Sequence, residues 1–131
     1  MSRSHVAALL LVVSLAGCSG RHSPSGFRLP PGDAAAGQAA FVDLKCTQCH
    51  SVQGVNLPAA TAPTPVALGG RRMLPRTDGD LTTDIILPSS HFAADFAAGA
   101  TSPMPDYTRT MTVRQLSDLV AFLQSKYRVG L

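Results

Sequence analysis

The segment CTQCH at residues 46–50 constrains this chain more than any other feature of its sequence. Two cysteines three positions apart, with a histidine directly after the second, form the attachment pattern of c-type haem. The thiols of Cys46 and Cys49 can each form a thioether with one vinyl edge of the porphyrin. That tethering brings the imidazole of His50 beneath the ring. The motif therefore predicts one covalent haem c with His50 as an axial iron ligand.

Length and composition agree with a single small domain that encloses a cofactor. The chain has 131 residues and a formal charge of +3. Removal of a leader that contains Arg3 would lower this charge, and the two haem propionates would bring it near zero. This charge does not favour a nucleic-acid partner. Five Phe, two Tyr and no Trp are few for the core of a domain of roughly 100 residues. A buried porphyrin would compensate for that shortage.

The N-terminus has the pattern of an export signal. A basic start precedes an apolar run over residues 6–15, which is shorter than the roughly 20 residues that a membrane-spanning helix needs. The run ends in LAGC at residues 15–18, which resembles the bacterial lipobox, whose cysteine is acylated and begins the mature lipoprotein. We therefore expect a signal peptide at residues 1–17 and a lipid on Cys18. An ordinary signal peptide with a chance cysteine is the alternative.

Residues 18–32 are expected to form a flexible tether between the lipid and a domain at residues 33–131, because they combine Ser, Gly and Pro without an apolar period. A random coil of this length would hold the domain on the order of 20 Å from the lipid. The protein would then lie in the bacterial cell envelope, facing the periplasm or the exterior. Ser19 after the lipidated cysteine, where an Asp is absent, favours the outer membrane by the same resemblance.

The first and last helices of the domain are predicted to pack against each other. The first runs from Asp33, a good N-cap residue, to Lys45, and it carries Gly37 and Phe41 on one face. The last follows a capping box in which Thr112 precedes Gln115 by three positions. Its apolar stripe is expected to bury against Gly37 and Phe41. The stripe consists of Val113, Leu116, Leu119, Val120, Phe122, Leu123 and Tyr127.

Residues between these helices are predicted to form a long irregular loop over 51–76 and a short helix over Asp80–Leu87. The helix should turn Leu81, Ile85 and Ile86 inward and end at Pro88. A metal-bound histidine donates its second ring N–H to an acceptor, and a proline carbonyl in the loop, from Pro63 or else Pro65, is the natural partner of His50. The end of this stretch carries three arginines: Arg71, Arg72 and Arg76. We expect them to lie in a solvated loop; pairing with the haem propionates and docking of an acidic partner are the alternatives.

The segment SPMPDY at residues 102–107 provides the second chemical signal. Prolines on both sides of Met104 fix φ and stiffen the loop that would present its sulfur. A thioether is a suitable sixth ligand for iron in a closed electron-transfer site. Met104 is therefore the predicted distal ligand, with Met73 and Met111 as alternatives. His91 is a further candidate, although a loop histidine that caps a turn is commoner.

With the CTQCH and MPDY motifs and the two facing helices in place, the chain resembles a class I cytochrome c carried on a bacterial lipoprotein anchor. The resemblance implies an all-α fold of three to five helices around one covalent haem. It also implies His and Met axial ligands and one-electron transfer. The missing Trp and the absence of a Gly-Pro-x-Leu sequence after the haem motif are departures from the family pattern.

The function predicted on this basis is that of a membrane-tethered electron carrier, or of an electron-transfer subunit in a redox complex, and not of an enzyme. Its partners would be redox proteins such as a dehydrogenase, a quinol-oxidising complex or an oxidase. The main alternative is a haem enzyme or small-ligand sensor with a displaceable sixth ligand. A thioredoxin-type dithiol would need a strand before its CxxC, and a zinc site would need a second ligand pair.

Overall fold

A computed structural model of the chain describes residues 28–90 and 99–130. The predicted signal peptide, Cys18 and His91 lie outside the described residues. No helix in the described ranges has the length and apolar character to cross a bilayer. The described elements are helices α1 (Ala34–Asp43), α2 (Asp78–Ile86) and α3 (Val113–Gln124), a 3-10 turn (Cys46–Gln48) and strands β1 (His50–Val52), β2 (Val66–Leu68), β3 (Gly70–Arg72) and β4 (Tyr127–Val129).

Helix α1 begins where the sequence predicts and ends two residues earlier. The Asp33 carboxylate accepts hydrogen bonds from the N–H groups of Ala35 and Ala36, at 2.7 and 2.9 Å, and so satisfies amides that have no partner within the helix. Lys45 then adopts a left-handed conformation with a φ of 64°. This turn separates α1 from the 3-10 turn that carries the first haem-motif cysteine.

Helices α1 and α3 pack at close range, as predicted from the glycine and phenylalanine on α1. A Cβ atom on Gly37 would lie 1.9 Å from the main-chain oxygen of Asp118, so only glycine permits this approach. The rings of Phe41 and Phe122 meet edge to face with centroids 5.7 Å apart. The Asp118 carboxylate also accepts a 2.8 Å hydrogen bond from the Asp33 N–H. This crossing forms the centre of the core.

Helix α3 has the predicted capping box, but its buried stripe is shorter than predicted. The N–H of Gln115 donates to the Thr112 hydroxyl, and the Gln115 side chain accepts from the Thr112 N–H. Val113 is 58 % exposed, because the first turn extends beyond the facing helix. Tyr127 lies past the end of the helix in β4. The stripe from Leu116 to Leu123 is buried as predicted.

Helix α2 begins two residues before its predicted start. Thr77 forms a capping box with Asp80, and this cap moves the start of the helix ahead of the predicted one. Leu81 and Ile85 face inward and are buried. The helix ends at Ile86, and residues 88–90 begin another helical turn at Pro88, a position where proline lacks only an amide that would be unpaired anyway.

The prediction of an irregular loop over residues 51–76 is wrong where three short strands, β1, β2 and β3, take part in parallel pairs. Strand β1 pairs with β2, which sets His50 opposite Val66. Strand β3 pairs with β4, which sets Gly70 opposite Tyr127. Each strand has three residues, too few for an alternating apolar pattern to be visible in the sequence. These pairs add two small ladders to a mainly helical fold.

The last residues assigned to the tether contact the domain. Leu29 packs against the core, and the Arg114 guanidinium donates a 3.0 Å hydrogen bond to the Pro31 carbonyl. A Cβ atom on Gly32 would lie 2.1 Å from the Ser117 carbonyl oxygen, so the chain passes directly over α3 at this point. The tether itself remains a prediction.

Candidate functional site

One apolar pocket brings together three of the predicted haem-site residues. Cys46, His50 and Met104 all line it, although they come from a turn, a strand and a distant loop. Most of its wall is hydrocarbon, from helices α1, α2 and α3 and from strand β2: Phe41, Leu81, Ile85, Leu119, Leu123 and Leu68. The pocket therefore lies where the helices and the haem motif converge.

The two cysteines of the motif lie at the start of the 3-10 turn and directly after it. Both are free thiols; Cys46 is half-buried and Cys49 is exposed. Burial raises the pKa of the Cys46 thiol, against a smaller opposite effect of its hydrogen bonds. Cys46 is thus neutral at physiological pH. Neither thiol is committed to a disulfide with the other, so both are available for thioether formation.

His50 opens β1 and is half-buried beside the Phe41 ring, with centroids 6.5 Å apart. Burial lowers the pKa of the imidazole, which favours the neutral form that binds metals. The backbone of Val66 lies close enough to oppose this lowering of the pKa. The Nδ1 atom of His50 is buried, however, and has no hydrogen-bond partner among the described residues. The predicted hydrogen bond to the carbonyl of Pro63 or Pro65 is therefore not seen, and the backbone next to the ring is that of Val66, the residue after Pro65.

The Met104 loop is fixed by side-chain hydrogen bonds before the methionine. The Met104 N–H donates to the Ser102 hydroxyl at 3.2 Å, and the Ser102 N–H donates to the Ser89 hydroxyl at 3.1 Å. Met111 lines the same pocket and remains an alternative ligand. Met73 does not line it and is 79 % exposed, so the structure does not support it as a ligand.

Tyr107, for which the sequence predicts no separate role, fixes the other end of the loop. Its hydroxyl donates a 2.9 Å hydrogen bond to the Leu44 carbonyl, at the C-terminal cap of α1. Burial, and next the proximity of Cys46, raise the pKa of the Tyr107 phenol. The loop that carries Met104 is thus joined to the segment that carries the first cysteine. The MPDY motif contains this tyrosine, but no local pattern indicates where its hydroxyl reaches.

Two of the three arginines, Arg71 and Arg72, are exposed as the solvated-loop prediction requires, although they lie in strand β3, whereas Arg76 is half-buried. Arg76 forms an ion pair with Asp84, which lines the pocket, and the Gln124 side chain donates a 2.7 Å hydrogen bond to the Arg76 carbonyl. Arg72 lies in β3 with its guanidinium 5.8 Å from the centroid of the Tyr127 ring. Arg71 is exposed on the same strand.

The donor set of the pocket fits the predicted haem. The half-buried imidazole of His50, which burial favours in its neutral form, and the thioether of Met104 line the same pocket, inside a wall of hydrocarbon. The described residues contain no group of three or more His, Cys, Asp or Glu side chains that could hold a separate metal ion. Haem is therefore the cofactor whose chemistry matches these residues.

The sequence matches a known protein family. The family model described as Cytochrome c matches residues 34–126. The matched range begins at the first residue of α1, includes the CTQCH motif and Met104, and extends past the end of α3. Neither the curated proteins nor the solved structures gave a match.

Proposed function

The chain belongs to the cytochrome c family, and on this premise we propose that it is a lipid-anchored, class I, monohaem electron carrier or an electron-transfer subunit of a redox complex. Its fold is the small, mainly helical cytochrome c fold, and its cofactor is covalently attached haem c. Cys46 and Cys49 have the spacing that this attachment requires. A role in haem-based electron transfer follows from the family.

The observation that best supports the finer proposal is that His50 and Met104 line one pocket. We assign them as the two axial ligands, with the thioethers on Cys46 and Cys49. When bound, the haem supplies an iron that alternates between the ferrous and ferric states. The strand pairing of His50 and the hydrogen-bonded, proline-flanked loop of Met104 would hold both ligands in place in either state. A thioether ligand also raises the reduction potential.

The pocket wall suits electron transfer better than proton chemistry. Its polar members are few, and the one carboxylate among them, on Asp84, is engaged by Arg76. Hydrocarbon side chains exclude water, which reduces the reorganisation that accompanies a change in iron charge. One-electron exchange needs no general acid or base, and members of this family are generally electron carriers.

We further propose that lipid on Cys18 anchors the protein in the bacterial cell envelope, where it faces the periplasm or the exterior. A tether between the lipid and the domain would let the haem approach a membrane-bound dehydrogenase, a quinol-oxidising complex or an oxidase. This arrangement involves redox proteins and no nucleic acid. It rests on the lipobox pattern at residues 15–18.

The decisive experiment is expression of the full chain in a bacterium that exports proteins and matures c-type haem. The pyridine-haemochrome spectrum should be that of a haem with two thioethers, and the reduced native protein should not bind carbon monoxide. Cys18→Ser should move the coloured protein from the membrane to the soluble fraction. Folded but colourless protein would refute the haem assignment, and rapid carbon monoxide binding would favour a sensor or haem enzyme.

A further inference from the structure

The parallel pair β3–β4 and the two residues that follow β3 carry an exposed surface that is both basic and apolar. Arg71 and Arg128 are partners in the register of the two strands, and both are exposed. The two apolar residues that follow β3 are among the most exposed large hydrophobic side chains of the described residues: Met73 is 79 % and Leu74 77 % exposed. Side chains alternate between the two faces of a strand pair, so Arg71 and Arg128 share one face, and Arg72 and Val129 lie on the other. We call Arg71, Arg128, Met73 and Leu74 the strand-pair patch.

The composition of the strand-pair patch favours contact with a second molecule. Arg71 and Arg128 place two positive charges side by side on adjacent strands. Met73 and Leu74 leave nearly their whole side chains in water, where apolar contact with a second molecule would be favourable. An arginine-rich rim beside exposed Met and Leu is the composition of a protein interface. Its charge selects an anionic partner.

The strand pair that carries this patch is also directly connected to the haem pocket. Tyr127 of β4 lines the pocket, and the guanidinium of Arg72 lies 5.8 Å from the centroid of the same ring. Leu68 also lines the pocket and is two residues before β3. A molecule bound to the patch would thus be separated from the pocket interior by little more than the layer that contains Tyr127.

We propose that the strand-pair patch is the docking surface for the acidic face of a redox protein partner. The inference rests on the proposed function, because it assumes electron exchange with the haem. One electron passes from ferrous iron to the oxidised partner, or from the reduced partner to ferric iron, and no bond or proton is exchanged. An anionic membrane would also attract arginines, but a lipid surface accepts no electron, and the position beside the pocket wall favours a redox protein.

The test measures oxidation of the reduced holoprotein, as the full chain in detergent, by the anionic probe hexacyanoferrate(III) at low ionic strength. Arg128→Glu should slow this reaction by about threefold or more, because it replaces an attractive charge on the patch by a repulsive one. Oxidation by a cationic ruthenium ammine complex should become faster in the same variant. Both effects should shrink as salt is added.

Two matched substitutions show whether the effect belongs to this surface. Arg114→Glu makes the same charge change near the other end of α3, about 18 Å from Lys126 along the helix axis, and should alter the rate by less than about twofold. Lys45→Glu makes it beside the haem-attachment turn, the alternative contact region. A larger effect of Lys45→Glu than of Arg128→Glu would overturn the proposal.

Two further readouts separate this proposal from its competitors. The reduction potential of Arg128→Glu should match that of the wild type, and a change in potential that accounts for the lost rate would overturn the docking role in favour of a contact with the haem. An unchanged hexacyanoferrate rate together with weaker binding to anionic lipid vesicles would also overturn it, in favour of a membrane surface. The pyridine-haemochrome spectrum of the same sample tests the proposed function separately.

Discussion

At the scale of single residues, the proposed sixth ligand gives the most direct prediction. Met104→Ala should leave haem attached but lower the reduction potential by on the order of 100 mV, because the axial ligand is a major determinant of haem potential. The variant should also bind carbon monoxide when reduced. Potentiometry and carbon monoxide titration measure both effects.

Met111→Ala is the matched control for that experiment, because Met111 lines the same pocket from a different part of the chain. It should keep the wild-type potential and spectrum and lose only packing. If Met111→Ala opens the iron to carbon monoxide while Met104→Ala does not, the axial role belongs to Met111.

A second prediction concerns the hydroxyl that joins the Met104 loop to the end of α1. Tyr107→Phe removes the hydroxyl and with it the hydrogen bond to the Leu44 carbonyl, which contributes about 1 kcal/mol to stability. We expect the charge-transfer absorption of the sulfur–iron bond in the ferric protein to disappear at a lower temperature, well below global unfolding. Variable-temperature absorption spectroscopy and circular dichroism follow the two events separately.

Tyr127→Phe is the control, because Tyr127 also lines the pocket and its hydroxyl has no hydrogen bond within the described segments. The sulfur–iron absorption of this variant should match the wild type over the whole temperature range. Simultaneous loss of the absorption and of helicity in Tyr107→Phe would mean that the hydroxyl supports the fold without a specific role at the ligand loop.

Some of these residues could be identified from the sequence and others could not, for a physical reason. Cys46, Cys49 and His50 are adjacent in the chain, and Met104 has prolines on both sides, so their chemistry is visible in short motifs. The contact of Tyr107 with Leu44 joins residues 63 positions apart, and no local pattern encodes it. The backbone neighbour of the His50 ring likewise depends on how the 51–76 loop returns to β1.

At the scale of elements, the crossing of α1 and α3 can be tested with one methyl group. Gly37→Ala would place a Cβ atom 1.9 Å from the Asp118 oxygen, so the helices must move apart and the core must repack. We expect a loss of about 3 kcal/mol or more in the free energy of unfolding. Chemical denaturation of the holoprotein measures this loss.

The same substitution at Gly79 in α2 provides the control. A Cβ atom there meets only the Thr77 hydroxyl oxygen, at 3.6 Å, so the better helix propensity of alanine should stabilise the protein by roughly 0.5–1 kcal/mol. If Gly37→Ala left the free energy of unfolding unchanged, the close contact between α1 and α3 would not be a feature of the folded protein.

The helices were predictable from the sequence and the strand pairs were not, because helices have local sequence signals and these short strands do not. Asp33 and Thr112 mark helix starts that the structure confirms, since caps and apolar periods are local signals. Each strand has only three residues and pairs with a strand that is distant in the sequence: in the pair β3–β4, Gly70 lies opposite Tyr127. The missed pairing matters, because it forms the surface beside the pocket that bears the docking proposal.

At the scale of the whole molecule, the haem should complete a core that the side chains alone leave thin. Helices α1 and α3 contact each other directly through Gly37 and through Phe41 with Phe122. In contrast, both buried apolar side chains of α2, Leu81 and Ile85, line the pocket. Without the cofactor, α2 loses much of the apolar surface against which it packs, whereas α1 and α3 keep the contacts at their crossing.

A chain with Cys46→Ser and Cys49→Ser, which cannot form thioethers, should therefore lose protection unevenly. Hydrogen exchange measured by mass spectrometry should show the amides of α2 exchanging almost as fast as in an unfolded peptide, while those of α1 and α3 keep partial protection. The wild-type holoprotein, exchanged in parallel, should protect all three helices. Equal protection of α2 and α3 in the haem-free chain would show that the pocket wall stands without its cofactor, and that the fold does not depend on haem.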